Sequence, residues 1–470
     1  MSVQPYWELT FDADGDVDTR QRDQLLAGVA AEGVTDLVMF SHGWNNDQSM
    51  ATWLYDRFFA PFPGLLGAGT GAGTSTGTGT RVRLGYVGVL WPAMRFSDEP
   101  IPDFTPSLTI APVPATGPVP AAATAPATAP ATSPGGRTEL SEETCRALTS
   151  TFPGQDATVR RLAELLRERP DSPEALVEFA RLVRDLVALP AGSPAAAFAA
   201  DSGDGGPQPD PAILADDPVG LCAELTAALQ ETGVDLGPDE PGEQRLLGGL
   251  GKKLWNGAHE LLRQATYFAM KRRAGTVGQH GLGPALGRLS QSSGTVRVHL
   301  VGHSFGARLV SFALLGLPAG AHNVKSVTLL QGAFSHYAYA RRLPGDASHS
   351  GALRDAENRV DGPVVSCFSS HDTALGVIYP LASRLSRDDS SLLGLGDRWG
   401  AMGHDGIQAV DGTRRATIED ARAGRFPVSG CVSVDVSAVV CSGSPPAGAH
   451  SDICHEELAR VVLAAGRISH

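Results

Sequence analysis

Val296–Gly316 reads VRVHLVGHSFGARLVSFALLG, which predicts a strand, a sharp turn and a helix in direct succession. The run Val296–Val301 is short, apolar and rich in β-branched residues, as in a buried strand. Ser304 lies at the apex of the turn, where an abrupt change of direction strains the backbone. Gly302 and Gly306 fit on either side because glycine has no Cβ. The pattern therefore predicts a serine hydroxyl at the end of a sheet, close to the amino end of a helix.

The pattern G-x-S-x-G occurs a second time, at Gly73–Gly77. This copy lies in a glycine- and threonine-rich run, with no strand before it and no helix after it, so it is typical of a flexible loop. The bare pattern is weak evidence in a chain rich in glycine and serine. Its context favours Ser304 as the nucleophile, and the alternative is a serine in an ordinary strand–helix turn.

Length and charge limit the classes of function. A chain of 470 residues can form one large domain with insertions, or two domains. A net charge of −13, with four lysines, argues against non-specific binding of nucleic acid. The start of the chain does not resemble a signal peptide, and no apolar run is long enough to span a bilayer. We expect a cytoplasmic protein without stable membrane insertion.

The six cysteines show no C-x-x-C pairing. Reduced thiols are the favoured interpretation, and a disulfide among Cys431, Cys441 and Cys454 is the alternative. We predict neither a metal nor a cofactor.

Strand-like and helical segments alternate in residues 1–99 and again in residues 274–470. This alternation predicts an α/β fold with a mostly parallel, doubly wound sheet, divided into an amino-terminal and a carboxyl-terminal part of one core. Besides the strand before Ser304, strands are expected at Tyr6–Phe11, Asp36–Phe40, Arg83–Leu90, Val324–Leu330, Gly362–Phe368 and Cys431–Val440.

Two segments interrupt this alternation. Residues 100–138 are dominated by proline, alanine and threonine and are predicted to be a flexible segment. Residues 139–273 are largely helical, ending in a helix at Gln244–Arg273, and we interpret them as an inserted α-helical cap. The connection Ala382–Phe426 receives no assignment, and a final helix is expected at Ile453–Ala465.

A serine nucleophile needs a base, usually histidine, and the base needs an acid that fixes its tautomer. Parallel strands present the loops at their carboxyl ends together, so the partners should follow strands. Asp372 follows the strand that ends at Phe368 and is the predicted acid. Its alternative role is to cap a helix that starts near Thr373. Asp355 and Asp361 precede that strand and would lie at the wrong edge.

The base is predicted to be His450, in the loop after the last strand, since a base usually lies in the loop and not in the helix that follows. His455 is the alternative and is expected inside the final helix, for which Asp452 is a candidate cap. His371 and His404 are interpreted as isolated loop histidines.

The oxyanion of an attacked carbonyl needs hydrogen-bond donors fixed in advance. One predicted donor is the backbone N–H of Phe305, immediately after the nucleophile. The other is the N–H of Trp44 or of Gly43, in the loop that follows the strand Asp36–Phe40. A simple glycine turn beside a core tryptophan is the alternative.

Together these features resemble the α/β-hydrolases of the esterase and lipase type, over residues 6–92 and 274–470. The chain order of nucleophile, acid and base is the order found in that family. The features that carry the resemblance are His42-Gly43-Trp44, Trp91-Pro92, the sequence GHSFG at Gly302–Gly306, Asp372 and His450-Ser451-Asp452. The resemblance implies a helical cap over the site, and supporting roles at the elbow and its neighbouring loop for Gly302, His303, Gly306 and His42.

The resulting hypothesis is a serine hydrolase that cleaves a carboxylic ester through an acyl-enzyme, with a small-molecule or lipid ester as its substrate. One alternative is a lipase or phospholipase at a membrane surface, since the last cap helix has a broad apolar face beside five cations: Lys252, Lys253, Lys271, Arg272 and Arg273. A non-catalytic binding protein with the same fold is another.

Overall fold

The computed structural model describes residues 1–44, 46–67, 82–94, 96, 139–188, 198, 201, 217–236, 251–344, 347–379 and 400–468. The second G-x-S-x-G pattern at Gly73–Gly77 and the proline-rich segment 100–138 lie outside these residues.

The described residues contain one eight-stranded sheet with the strand order β1-β3-β2-β4-β5-β6-β8-β7. Every pair of neighbouring strands is parallel, so the predicted α/β class with a parallel sheet is confirmed. The strands are β1 Tyr6–Thr10, β2 Asp36–Ser41, β3 Leu84–Leu90, β4 Arg297–His303, β5 Val324–Leu330, β6 Pro363–Phe368, β7 Arg414–Ala416 and β8 Gly430–Asp435.

Two details of the sheet differ from the prediction. The last predicted strand ends at Asp435 and not at Val440, because the chain turns there: the N–H groups of Val439 and Val440 both donate to the carbonyl oxygen of Val436. The edge strand β7 was not predicted, since three residues with two exposed arginines lack an apolar alternation.

Helices lie on both faces of the sheet. They are α1 Thr19–Ala31, α2 Gln48–Phe59, α3 Phe62–Gly67, α4 Glu142–Thr151, α5 Asp156–Glu168, α6 Pro173–Val187, α7 Pro218–Glu231, α8 Leu254–Thr276, α9 Gly283–Ser292, α10 Phe305–Ala313, α11 Met402–Asp405, α12 Ile418–Arg422 and α13 Glu456–Gly466. A π-helical turn, Val277–Leu282, joins α8 to α9, and a second one covers Ala374–Ile378.

Alternate residues of a strand point to opposite faces of the sheet, and β2 shows this clearly. Leu37 and Met39 pack into the core on one face, with α1 and α4 to α10, whereas Val38 and Phe40 pack into the core on the other face, with α2, α3, α12 and α13. The helices between residues 142 and 276 thus share a continuous apolar core with the first face. The predicted division between residues 273 and 274 falls inside α8.

Helix α8 begins at Leu254 after a turn at residues 251–253, and the predicted start at Gln244 lies outside the described residues. Its cations are directed inward. Lys271 is 1% exposed and pairs with the buried Asp201 at 3.0 Å. Arg272 and Arg273 donate to backbone carbonyl oxygens of neighbouring segments. These contacts hold three of the five cations away from an exposed basic face.

No helix within the described ranges combines the length and the apolar character needed to cross a bilayer. The six cysteines all lie within the described residues and are not joined in disulfides, and Cys222, Cys367 and Cys431 are buried.

Candidate active site

The turn between β4 and α10 places Ser304 in a strained backbone conformation, with φ +55° and ψ −118°. A positive φ is rare outside glycine and costs roughly 1–3 kcal/mol, so the surroundings must hold it in place. A Cβ on Gly302 would overlap the carbonyl oxygen of Gly306, and a Cβ on Gly306 would overlap that of Ser41. Both glycines are therefore required by close backbone approach at this turn.

Ser304, His450 and Asp372 are brought together at the carboxyl edge of the sheet. Ser304 Oγ lies 2.9 Å from His450 Nε2, and His450 Nδ1 lies 2.7 Å from Asp372 Oδ2. A neutral imidazole whose Nδ1–H donates to the carboxylate keeps Nε2 as the acceptor for the serine O–H. Asp372 is fully buried, whereas the His450 side chain is 16% exposed. The arrangement can pass a proton from the serine hydroxyl to the imidazole.

Asp372 also has the structural role considered as its alternative. Its Oδ1 accepts a hydrogen bond from the backbone N–H of Leu375 at 3.0 Å, at the start of the π-helical turn Ala374–Ile378. The two carboxylate oxygens thus have separate partners, and the hydrogen bond from Leu375 fixes the carboxylate that faces His450. Asp355 and Asp361 lie before β6, as expected. The N–H of Asp361 donates to the carbonyl oxygen of Val324 at the start of β5, which is the opposite end of the strands from Ser304.

The loop that carries His450 runs from residue 441 to residue 455. Ala449 N–H donates to the carbonyl oxygen of His371 at 3.0 Å, which ties this loop to the one that carries Asp372. Farther along, Asp452 Oδ2 accepts from the backbone N–H groups of Cys441 and Ser442. Asp452 therefore links the end of this loop to its beginning at Cys441 and Ser442.

Asp452 Oδ1 accepts a hydrogen bond from His455 Nε2 at 2.8 Å. This bond raises the pKa of His455. Burial alone would raise the pKa of Asp452, but the bonds from His455 and the backbone N–H groups lower it. The prediction that His455 lies inside the final helix is wrong. It is the extended residue just before α13, and Asp452 does not cap this helix because its carboxylate has these other partners.

His404 is not an isolated histidine. Its Nδ1 lies 2.7 Å from Asp405 Oδ1, while His336 Nδ1 lies 2.9 Å from Asp405 Oδ2. The pKa of His404 is raised, mainly by the bond to Asp405 and also by the charge of Asp372. Sequence spacing did not reveal this cluster, in which the Asp405 carboxylate joins the rings of His336 and His404.

The loop after β2 lies directly against Ser304. A Cβ on Gly43 would come within 2.7 Å of Ser304 Cβ and 3.1 Å of His303 Nδ1, so only glycine fits. Phe305 is the first residue of α10, and the first N–H groups of a helix have no acceptor within that helix. The backbone of Gly43 and the N–H of Phe305 thus lie on two sides of Ser304.

The orientation of the Gly43–Trp44 peptide is fixed by side chains. His42 Nδ1 lies 2.8 Å from the carbonyl oxygen of Gly43, and Asn46 Nδ2 lies 3.4 Å from the same oxygen and 3.3 Å from that of Trp44. In a planar trans peptide the N–H points away from the C=O. The N–H of Trp44 is therefore directed away from the His42 ring.

His42 is itself held in one tautomer. Its Nε2 accepts from the backbone N–H of Trp91 at 3.4 Å, its carbonyl oxygen accepts from the Trp91 indole at 3.0 Å, and the two rings stack with centroids 5.5 Å apart. Burial lowers the pKa of His42 to about 4, so the ring is neutral near pH 7 and its Nδ1–H can donate to Gly43. From the sequence, only the resemblance to α/β-hydrolases indicated a role for Trp91-Pro92.

His303, between Gly302 and Ser304, contacts His450, the predicted base. Its Nε2 lies 2.8 Å from the carbonyl oxygen of His450, and the two rings lie 5.0 Å apart. A carbonyl only accepts, so Nε2 carries the proton. His303 is 2% exposed, and burial, aided by the nearby His450, lowers its pKa to about 3.

Among the described residues, no three histidine, cysteine, aspartate or glutamate side chains are arranged to hold a metal ion. Comparison with models of known families, with curated proteins and with solved structures finds no protein similar to this chain.

Proposed function

We propose that this chain is a serine hydrolase of the α/β-hydrolase type, which cleaves a carboxylic ester through an acyl-enzyme. The observation that carries the proposal is the hydrogen-bonded series Ser304 Oγ, His450 and Asp372, with distances of 2.9 Å and 2.7 Å, on a serine with a strained backbone. A nucleophile within reach of a base, which is oriented by a third group, is the arrangement that activates a hydroxyl.

In the proposed first step, His450 Nε2 takes the proton of Ser304 as Oγ attacks the ester carbonyl carbon. The imidazolium formed is stabilised by the carboxylate of Asp372, which stays ionised. As the tetrahedral intermediate collapses, His450 returns the proton to the leaving alcohol oxygen, and the acyl group remains on Ser304. A water molecule, deprotonated by the same imidazole, then attacks the acyl-enzyme and regenerates the serine.

The developing oxyanion would be bound by the backbone N–H of Phe305 and by that of Trp44 or Gly43. Donors fixed before the reaction stabilise the charge without reorganisation, and each one is worth about 10²–10³ in kcat. His42 and Asn46, which hold the Gly43–Trp44 peptide, would keep its donor in place.

Two features of the fold support the α/β-hydrolase type. Ser304, Asp372 and His450 follow β4, β6 and β8, and ligands of open parallel sheets bind at the carboxyl ends of the strands. Residues 139–273 contribute α4 to α8, which we propose as the cap. The alternative of a lipase on a membrane surface loses support from α8, since its cations at 271–273 are paired or bonded inward.

The proposal is tested with p-nitrophenyl esters of graded acyl length and with a fluorophosphonate probe. Wild type should hydrolyse at least one ester and carry the probe on Ser304 alone. Ser304→Ala should lose at least about 10³-fold in kcat/KM without unfolding. The matched control is Ser451→Ala, a nearby serine outside the proposed set, which should retain activity. Labelling at Ser75, or full activity in Ser304→Ala, would contradict the proposal.

A further inference from the structure

The proposed base and nucleophile come from strands that are not neighbours. In the sheet, β4 and β8 are separated by β5 and β6, which at about 4.8 Å per strand is roughly 14 Å. His450 must therefore reach back over the ends of two strands to meet Ser304 Oγ at 2.9 Å. A side chain at the end of such a loop is well placed only if the loop backbone is held near the nucleophile.

His303 supplies a direct contact of this kind. It is the last residue of β4, adjacent to Ser304, and its Nε2–H donates to the carbonyl oxygen of His450 at 2.8 Å. On the other side, its ring lies against Gly43, where an added Cβ would come within 3.1 Å of Nδ1. The imidazole thus lies between the loop of the proposed oxyanion hole and the loop of the base.

We propose that His303 is a positioning residue, whose neutral ring holds the backbone of His450 at a fixed distance from Ser304. Its kinetic consequence rests on the proposed ester hydrolysis, whereas the hydrogen bond and its effect on His450 do not.

The chemistry of the location favours a histidine. The side chain must donate one hydrogen bond to a carbonyl oxygen, and it must remain uncharged because the nearby His450 becomes cationic during the proposed reaction. An aliphatic side chain would not donate a hydrogen bond. A lysine or arginine would bring a second positive charge close to the His450 ring, whose centroid lies 5.0 Å from that of His303. The Asp372 carboxylate fixes the His450 ring, and His303 fixes its backbone.

The test compares His303→Gln with His303→Met. Both side chains are unbranched and similar in length, but only glutamine carries an N–H near the position of Nε2. We expect His303→Met to lose about 10–100-fold in kcat with KM changed less than about twofold, because a misplacement of about 1 Å can cost 10²-fold. His303→Gln should stay within about fivefold of wild type. Equal kcat values in wild type and the methionine variant would overturn the proposal.

A second measurement is independent of ester chemistry. The Nδ1–H of His450, bonded to the Asp372 carboxylate, should give a low-field proton resonance in wild type, absent in His450→Ala. It should persist in His303→Gln and be lost or broadened in His303→Met. An unchanged resonance in the methionine variant would contradict the positioning role.

Thermal unfolding of each variant establishes that it is folded. If the methionine variant does not fold, His303→Asn takes its place, since its shorter amide lies near the position of Nδ1 and should also fail to reach His450. The two proposals can fail separately. Full ester hydrolysis by Ser304→Ala would remove the proposed function, while a resonance lost in His303→Met would still support the positioning of His450.

Discussion

On the two sides of the candidate site, the pKa values of the supporting histidines are shifted in opposite directions. On the nucleophile side, formed by residues 41–46 and 302–306, His42 and His303 are 1% and 2% exposed, and burial lowers their pKa values to about 4 and about 3. On the base side, formed by residues 369–379, 402–405 and 441–455, His404 and His455 are partly exposed, and aspartate partners raise their pKa values.

The difference shows that burial and partners, and not the residue type, decide what a histidine does. A neutral imidazole has one donor and one acceptor, so the hydrogen bonds of His42 and His303 are directional and orient the backbone carbonyl groups that they contact. On the base side, the rings of His404 and His455 bond to the carboxylates of Asp405 and Asp452, and these bonds raise the pKa values of the two histidines. The predictions below separate these two modes.

The largest contrast is expected between the two histidines of the base loop. His450→Ala should lose at least about 10³-fold in kcat/KM on a p-nitrophenyl ester, since it removes the acceptor for the serine proton. His455→Ala should stay within about threefold, because its ring contacts Asp452 and not Ser304. An inactive His455→Ala beside an active His450→Ala would reverse the assignment of the base.

The next effect concerns the nucleophile side. His42→Leu removes the Nδ1–H that holds the carbonyl of Gly43, which leaves the Gly43–Trp44 peptide less constrained. We expect kcat to fall about 10–100-fold with little change in KM, somewhat less than the loss of a whole oxyanion donor. His42→Asn, whose amide can replace Nδ1–H, should recover much of this loss. If both variants match wild type, the peptide is not held by His42.

A third effect is expected in stability under mild acid. Below about pH 6.5 an unfolded histidine binds a proton, while His42 and His303 in the folded protein do so only near pH 4 and pH 3. Because the unfolded state then binds more protons, the free energy of unfolding falls as the pH drops through this range. Urea unfolding between pH 7 and pH 4 measures how steeply the free energy of unfolding falls with pH. This fall should be less steep in His303→Gln than in wild type, by up to about 1.4 kcal/mol per pH unit. Parallel curves would mean that His303 is charged when folded.

The smallest effect is expected at the pair of His455 and Asp452. The raised pKa of His455 gives stability that is fully present below about pH 6.5 and is lost as the pH rises through the folded pKa, while the lowered pKa of Asp452 limits it to pH values above about 4. His455→Gln should therefore be less stable than wild type by less than about 1 kcal/mol at pH 6, and nearly equal at pH 9. A deficit that is the same at both values would indicate a neutral hydrogen bond.

The sequence predicted most of the sheet, since buried parallel strands are apolar runs bounded by turn residues. Ser304, Asp372 and His450 could be selected because each follows a strand, and strand ends meet at one edge. The state of the other histidines could not be predicted. The charge of Asp372, 32 positions earlier in the sequence, acts on His404 in addition to its neighbour Asp405, and no local pattern records such an interaction.

His455 was misplaced for a local reason. The apolar run that predicts α13 starts at Ile453, but the bond from the His455 ring to Asp452 accompanies an extended backbone, so the helix starts three residues later. Likewise Lys271 resembled a surface cation by its spacing, whereas its partner Asp201 lies 70 positions earlier, in a segment without a motif. Spacing along one helix does not show what packs against it.

The position of β2 has a consequence for synthesis of the chain on the ribosome. β2 lies between β3, which follows it closely in sequence, and β4, whose Arg297 lies 261 residues after Asp36. At about 5–20 residues per second, a ribosome needs roughly 13–50 s to add that length. During this time the nascent chain has no β4 to pair with β2, so the apolar strand DLVMFS remains an open edge. A strand in the interior of the finished sheet is thus an exposed one for much of translation.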